Sequence, residues 1–314
     1  MGRLNSYISN EMAVIGVMIE GQEGLTWDRW RKLCRVVEDL GFESLWRSDH
    51  FFSVMGEYQR DCIETWVSLA LCAEWTKRIT FGPNVSPMTF RPPAVLAKMA
   101  TSVDILSGGR LVLGVGAGWY EAEHTEFHIP FPSLKERFDN LEEGIRIIRE
   151  TWERSNPKPI RGSIPLLVGG GGEKRTLPLA AREAAEWGLG GKPDLDTYRH
   201  KVDLLAEQCR LIGRDPKEIN RSFQCGFLVG KDEKTLLARA DAMREVIPRF
   251  RDLKAPEVID AARQNWFVGT PEEIAEQLRP YLELGLNRWH AQHFLLDDDE
   301  GLELLMEGVA PRIA

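Results

Sequence analysis

The feature that most constrains this chain is a regular alternation: short apolar runs are followed by longer segments whose apolar residues recur at helical spacing. Met12–Ile19 has the apolar character of a buried strand. Trp27, Trp30, Leu33, Val37 and Leu40 then form a helical stripe that ends at Gly41. Ser44–Arg47 is a second strand and leads directly to Asp49 and His50. The unit recurs. The spacing predicts a helix over Cys62–Trp75 with a strand over Ile79–Val85, and a helix over Ala94–Leu106 with a strand over Leu111–Val115. Pro92 and Pro93 open the second of those helices, where a missing N–H is harmless, and Gly108 and Gly109 close it. A helix over Leu134–Trp152 precedes a strand over Ile164–Val168, and helices are expected over Lys174–Glu186 and Asp196–Ile212. The pattern ends with a strand over Ser222–Val229, a helix from the capping box Thr270–Glu273 to Leu284, and a strand over Arg288–Phe294.

Strands that alternate with helices pair in parallel, because each helix carries the chain back across the sheet. About eight such units in 314 residues imply a (β/α)8 TIM barrel, forming one domain over residues 1–314. An open, doubly wound sheet satisfies the same alternation.

Charge and cysteine content narrow the function. The net charge is -8, which is not the basic footprint of a nucleic-acid binder. The five cysteines, at 34, 62, 72, 209 and 225, are odd in number and contain no CxxC pair, so neither a disulfide framework nor a zinc site is expected. The N-terminus lacks the apolar core of a secretion signal, and no apolar run nears the ~18 residues that span a membrane. The expectation is a cytoplasmic protein acting on a small molecule, with no nucleic-acid or membrane partner.

In a barrel the active site forms at the C-terminal ends of the strands. That rule selects Glu20, Asp49 and His50, the Asn84–Thr89 segment, Gly116–Glu121 and Gly169–Thr176. Gly169, Gly170, Gly171 and Gly172 follow an apolar strand and lead through Glu173, Lys174, Arg175 and Thr176 into a helix. Backbone without side chains approaches a ligand closely, and free N–H groups at a helix start attract an anion, so this turn reads as a phosphate cradle. Its bland alternative is a flexible surface loop. Gly116, Ala117, Gly118 and Trp119 belong to a second glycine-rich strand end, which lacks the full dinucleotide spacing. It suits either close approach to a flat ligand, with Trp119 as a wall, or a tight turn.

Asp49 and His50 suit a general acid or base with an orienting carboxylate, or two satisfied polar residues. His124 and His128 stand four apart beside Glu121 and Glu123, but Pro130 and Pro132 follow and no third ligand is evident, so no metal is expected. His290 and His293 fall on opposite faces of the last strand and cannot chelate together.

Several segments, in order, resemble the luciferase-like monooxygenase family. They are SLWRSDHF at 44–51, FRPPAVLAK at 90–98, LSGGRLVLGVGAGW at 106–119, IPFP at 129–132 with ERFD at 136–139, GGGGEKRT at 169–176 and VGTPEE at 268–273. The glycine-rich segments look most like the branch that uses coenzyme F420. The resemblance implies a TIM-type barrel, a homodimer, and FMN or F420 held at the C-terminal mouth. It implies that Gly169–Thr176 bind the coenzyme phosphate and that Gly116–Trp119 line its ring and chain. A non-proline cis peptide supporting the ring would fall at Asn84-Val85 or Val85-Ser86. His50 would exchange a proton, Asp49 would orient it or touch substrate, and Glu121 would be an acid partner. With F420 the chemistry is hydride transfer to or from a small organic substrate; with FMN it is oxygenation, fed by a partner reductase. Two departures stand out. The segment Trp152–Ile160 is short, so another loop must cover the mouth or leave it open. Val54 stands where some F420 sugar-phosphate dehydrogenases have tryptophan, which argues against a sugar phosphate.

Overall fold

The computed structural model describes residues 13–314, so Met12, the first residue of the expected opening strand, lies outside them. Strand β1 is Val14–Ile19, helix α1 Trp27–Asp39, β2 Ser44–Arg47, α2 Thr65–Trp75, β3 Thr80–Pro83, β4 Ser86–Pro87 and α3 Pro93–Ser107. Then come β5 Leu113–Gly116, α4 Glu121–Glu126, α5 Leu134–Arg154, β6 Leu166–Gly169, α6 Thr176–Glu183, β7 Glu186–Gly190 and α7 Leu195–Leu211. The chain ends with β8 Asn220–Val229, α8 Glu233–Val246, α9 Ala255–Arg263, β9 Phe267–Gly269, α10 Pro271–Glu283, β10 Arg288–Gln292 and short C-terminal helical turns.

The parallel strands are hydrogen-bonded in the order β3-β2-β1-β10-β8-β7-β6-β5-β4, and a bridge between Phe81 and Leu111 joins β3 to the β5 side and closes the ring. Strands β3 and β4 are two pieces of one barrel position, interrupted at Asn84-Val85, where the peptide bond is cis. Strand β9 pairs with the far end of β8, outside the ring. The eight positions are therefore those of a TIM barrel, not of an open sheet.

Local chemistry explains the elements. The stripe of α1 buries Trp30, Leu33, Cys34 and Val37, Thr26 caps its start, and Gly41 leaves it with φ +86°. Ser133 with Glu136, and Thr270 with Glu273, close the capping boxes of α5 and α10. The structure departs from the pattern between residues 174 and 190. The expected helix over Lys174–Glu186 is shorter, and Glu186 instead opens strand β7. The alanine-rich stretch extends the helical signal, while the inward-facing Glu186 removes the apolar alternation that marks a strand.

Most of the core lies between barrel and helices, with Trp30, Trp152, Trp187 and Trp289 fully buried. Inside the barrel, Met18, Trp46, Val112 and Leu167 form a small apolar cluster. Helices α8 and α9 build a separate lobe around Met243, Phe250, Val258 and Trp266. Because this lobe leaves from the C-terminal end of β8, it stands at the mouth. Arg60 Nη2 donates to Val246 O (2.7 Å) and Arg251 Nη2 to Glu57 Oε1 (2.7 Å), joining it to the 51–62 loop. These two segments stand at the mouth, whereas the short Trp152–Ile160 connection, expected to bear on it, runs from the end of α5 to the start of β6 at the opposite end of the barrel, where Ile160 N–H donates to Asp104 Oδ2 (2.8 Å).

Candidate active site

Since all ring strands are parallel, the segments following them gather at one face. His50 leaves β2 there, half-buried. Its Nδ1 lies 2.7 Å from Glu123 Oε2, and the backbone N–H of Phe51 donates to Glu123 Oε1 at 2.5 Å. Glu123 sits on α4 and is completely buried. Glu121, expected as the acid partner, is instead exposed on the first turn of that helix. Two residues are about 200° of helix, so Glu121 and Glu123 face nearly opposite ways, and only a helix placed over residues 121–126 distinguishes them. Burial opposes the charged imidazolium of His50, but the hydrogen bond and charge of Glu123, helped by Glu20 and Asp49, outweigh burial and hold its pKa above the ordinary value.

Asp49 was expected to orient His50 or to touch substrate. The structure gives its carboxylate other partners: it accepts from Ser86 Oγ (2.6 Å) and from both Arg91 Nη1 (2.6 Å) and Nη2 (3.1 Å). Arg91 in turn reaches Glu64 at 2.7 Å. Asp49 therefore ties the β4 segment to β2, and the orienting carboxylate of His50 is Glu123. Arg91, Glu64 and Glu123 are site residues that sequence reasoning missed, although FRPP at 90–93 contained the signal for the first.

Asn84, Val85 and Ser86 form the bulge between β3 and β4. Asn84 Nδ2 meets His290 Nδ1 at 3.1 Å, and Ser86 is held by Asp49 and by Trp66 Nε1 (3.2 Å). Val85 projects toward three glycines. A Cβ on Gly116 would lie 2.7 Å from Val85 Cγ2, one on Gly169 2.9 Å from Val85 Cγ1, and one on Gly114 2.0 Å from Pro83 O. The close approach that the glycine-rich strand ends signalled is thus made by the chain's own bulge. Ala117 and Gly118 are partly exposed; Gly118 has φ +81° and packs on Thr89. Trp119 is 63% exposed, edge-on to His50 with ring centroids 5.8 Å apart. Tyr120, Phe52 and Tyr58 continue this aromatic rim.

The tetraglycine turn follows β6, three positions round the ring from β2. Gly170 N–H bonds Gly188 O, and Gly170 O accepts from Trp187 Nε1. The N–H groups of Gly171, Gly172, Glu173, Lys174, Arg175 and Thr176 have no partner among the described residues. This row of unpaired amides at the start of α6 fits an anion such as a phosphate. The side chains of the turn behave differently from expectation. Arg175 points to the outer helix α5, bonding Glu142 and Asp139 at 2.9 Å each, so it is not a free phosphate ligand. Glu173 pairs with Lys201 (2.5 Å) and His200 (3.3 Å). Lys174 is exposed and Thr176 buried. His124 uses both ring nitrogens, on Tyr120 O and Thr89 Oγ1, and His128 is exposed with φ +53°. Among the described residues no helix is long and apolar enough to cross a membrane.

A parallel (β/α)8 ring with a paired imidazole and carboxylate at its mouth, and a row of unpaired backbone amides three strands away, is the arrangement of a barrel enzyme. The chain belongs to the luciferase-like monooxygenase family, which matches residues 12–288. Among curated relatives, the F420-dependent glucose-6-phosphate dehydrogenase of Amycolatopsis mediterranei (strain U-32) is 28% identical, covering 88% of this chain and 91% of the relative. Among solved structures, an F420-dependent secondary alcohol dehydrogenase in complex with an F420-acetone adduct superposes with TM-score 0.81 at 19% identity, over 96% of this chain and 100% of that one. The FMN-containing oxygenating constituent of 3,6-diketocamphane monooxygenase from Pseudomonas putida gives 0.77 at 18%, over 96% and 99%.

Proposed function

We propose that this protein is an F420-dependent oxidoreductase that moves a hydride between the deazaflavin and a small organic substrate. The observation that carries this reading is the His50–Glu123 pair, held at the mouth across from the unpaired amides of Gly171–Thr176. The similarity to F420-dependent dehydrogenases along 88% of the chain supports the choice of coenzyme. The residues fit such a group: the Gly171–Thr176 amides supply donors for its phosphate, and the bulge at Asn84–Ser86 offers a fixed backbone edge for a flat ring.

The coenzyme, when bound, supplies the hydride chemistry. The chain's residues supply the rest. Glu123 accepts from Nδ1 of His50 and so directs Nε2 as the face that exchanges a proton with substrate. Asp49, through Arg91 and Ser86, keeps the bulge and the second strand in register. The rim of Trp119, Tyr120, Phe52 and Tyr58 gives the substrate apolar walls. With Val54 rather than tryptophan after His50, this rim suits an organic alcohol or carbonyl compound better than a sugar phosphate. A second reading, an FMN-dependent monooxygenase with a partner reductase, has support from the fold likeness to the FMN-containing enzyme.

Titration separates the two readings. Addition of the protein should quench F420 fluorescence with saturation; quenching of FMN alone would remove the first reading in favour of the second.

A further inference from the structure

Barrels of this type fill their interior with branched apolar side chains. Here one side of the interior is charged. Glu186 on β7, with Arg288 and His290 on β10, are at most 1% exposed. They form a column along the barrel axis. Arg288 Nη1 donates to Glu43 Oε1 at 2.7 Å, and Arg288 Nε lies 3.5 Å from Glu186 Oε2. Glu186 Oε1 lies 3.1 Å from His290 Nε2, and His290 Nδ1 meets Asn84 Nδ2 at 3.1 Å. The imidazole stacks on Trp46 with centroids 4.6 Å apart, and Gly16 makes room for both rings. Burying such ions costs several kcal/mol each unless they are paired, so the column is an expensive way to fill a barrel. Its mouth end is Asn84, the first residue of the bulge.

The contacts of His290 fix the orientation of Asn84. Burial works against the charge of Glu186, but His290, Arg288 and Ser222 prevail and hold its pKa down at about 2. Glu186 and Asn84 thus stand at opposite ring nitrogens of His290, each 3.1 Å away. Asn84 Nδ2 is the carboxamide atom that faces His290 Nδ1, so Asn84 Oδ1 is turned away from the imidazole. We propose that His290, set by Glu186, is a positioning residue for Asn84: it fixes which way the carboxamide points and thus the hydrogen-bonding polarity of the bulge at the mouth. Its effect on coenzyme binding rests on the proposed coenzyme site; its effect on Asn84 does not.

Two measurements test it. The first is the side-chain amide resonance pair of Asn84 in the apoprotein, assigned by its loss in Asn84→Ala. His290→Phe, which retains the stack on Trp46, should move that pair toward solvent-like shifts, and an unmoved pair overturns the proposal whether or not any coenzyme binds. The second is a double-mutant cycle read by F420 fluorescence quenching and by the absorption spectrum of the bound coenzyme. Asn84→Ala and His290→Phe should each weaken binding by about tenfold, the double variant should bind no worse than Asn84→Ala alone, and His290→Asn, whose side-chain amide replaces Nδ1 as the partner of Asn84, should recover most of the loss. Multiplied losses in the double variant, or a wild-type dissociation constant and spectrum in His290→Phe, would overturn it. Should His290→Phe not fold because Glu186 is left buried and charged, the pair Glu186→Gln with His290→Phe takes its place in both measurements. A wild-type protein that quenches neither F420 nor FMN counts against the coenzyme reading, and the resonance test then decides the positioning claim alone.

Discussion

The two walls of the barrel mouth are made of different material. The wall at β2 consists of side chains that bond one another: His50 on Glu123, Asp49 on Ser86 and Arg91, Arg91 on Glu64. The wall at β6 consists of backbone, with Arg175 and Glu173 of its turn directed at Asp139, Glu142 and Lys201 and with Lys174 exposed. The first wall has chemistry that depends on which group stands where. The second has donors that any sequence supplies, provided the chain follows the same path.

Substitutions should therefore behave oppositely at the two walls. His50→Ala should have the largest effect, lowering kcat at saturating coenzyme by about 10²–10⁴-fold, the usual contribution of a positioned proton donor. Turnover within a factor of a few of wild type would leave the β2 wall without a chemical role. Glu123→Gln comes next, with a loss of about tenfold to a hundredfold for a hydrogen bond to a charged group. It also carries a pH signature. The folded pKa of His50 is raised, so the pair stabilises the fold fully below the ordinary imidazole value of about 6.5, and that contribution is lost as pH rises through the raised value. Urea midpoints of wild type and Glu123→Gln should thus differ more at pH 6 than at pH 9, and the imidazole limb of the kcat/KM profile should move to lower pH in the variant. An equal difference at both pH values would separate Glu123 from the protonation of His50.

At the opposite wall the path of the backbone matters. Gly170 has φ +124°, a conformation that L side chains resist at a cost of about 1–3 kcal/mol. Gly170→Ala should weaken F420 binding by about fivefold to a hundredfold while leaving kcat at saturation close to wild type, as a binding titration alongside steady-state kinetics will show. The smallest effect belongs to Arg175→Gln. Its ion pairs lie on the solvated helix surface, where water screens them, and coenzyme affinity should stay within about twofold. A tenfold loss in that variant would mean the side chain reaches into the mouth after all, and the contrast between the walls would fail.

The same contrast governs what the sequence made legible. Ser44–Arg47 was visible as a strand because it is short, apolar and bounded by turn residues, and Thr270–Glu273 as a helix start because a capping box is a local signature. The bulge at Asn84-Val85 and the glycine turn after β6 were legible from motif and family resemblance. What escaped depended on distant contacts. Glu186 hid a strand because its partners, Arg288 and His290, lie about a hundred residues away. The carboxylate on His50 was sought at Glu121 rather than Glu123 because helix phase, not composition, selects it. The α8–α9 lobe was missed because α8 is only weakly amphipathic and the lobe's apolar side chains pack on one another and on β9.

Val85 has a further consequence. Its two methyl groups fill the shared volume that Gly114, Gly116 and Gly169 vacate, although these positions span more than eighty residues of chain. Four positions in three separate segments therefore act as one unit of shape, and they can diverge only together: a larger residue at either of the last two glycines demands a smaller one at 85. For anyone reshaping this mouth, the economical alteration is the valine, since trimming it opens space beside two strands at once without disturbing either turn.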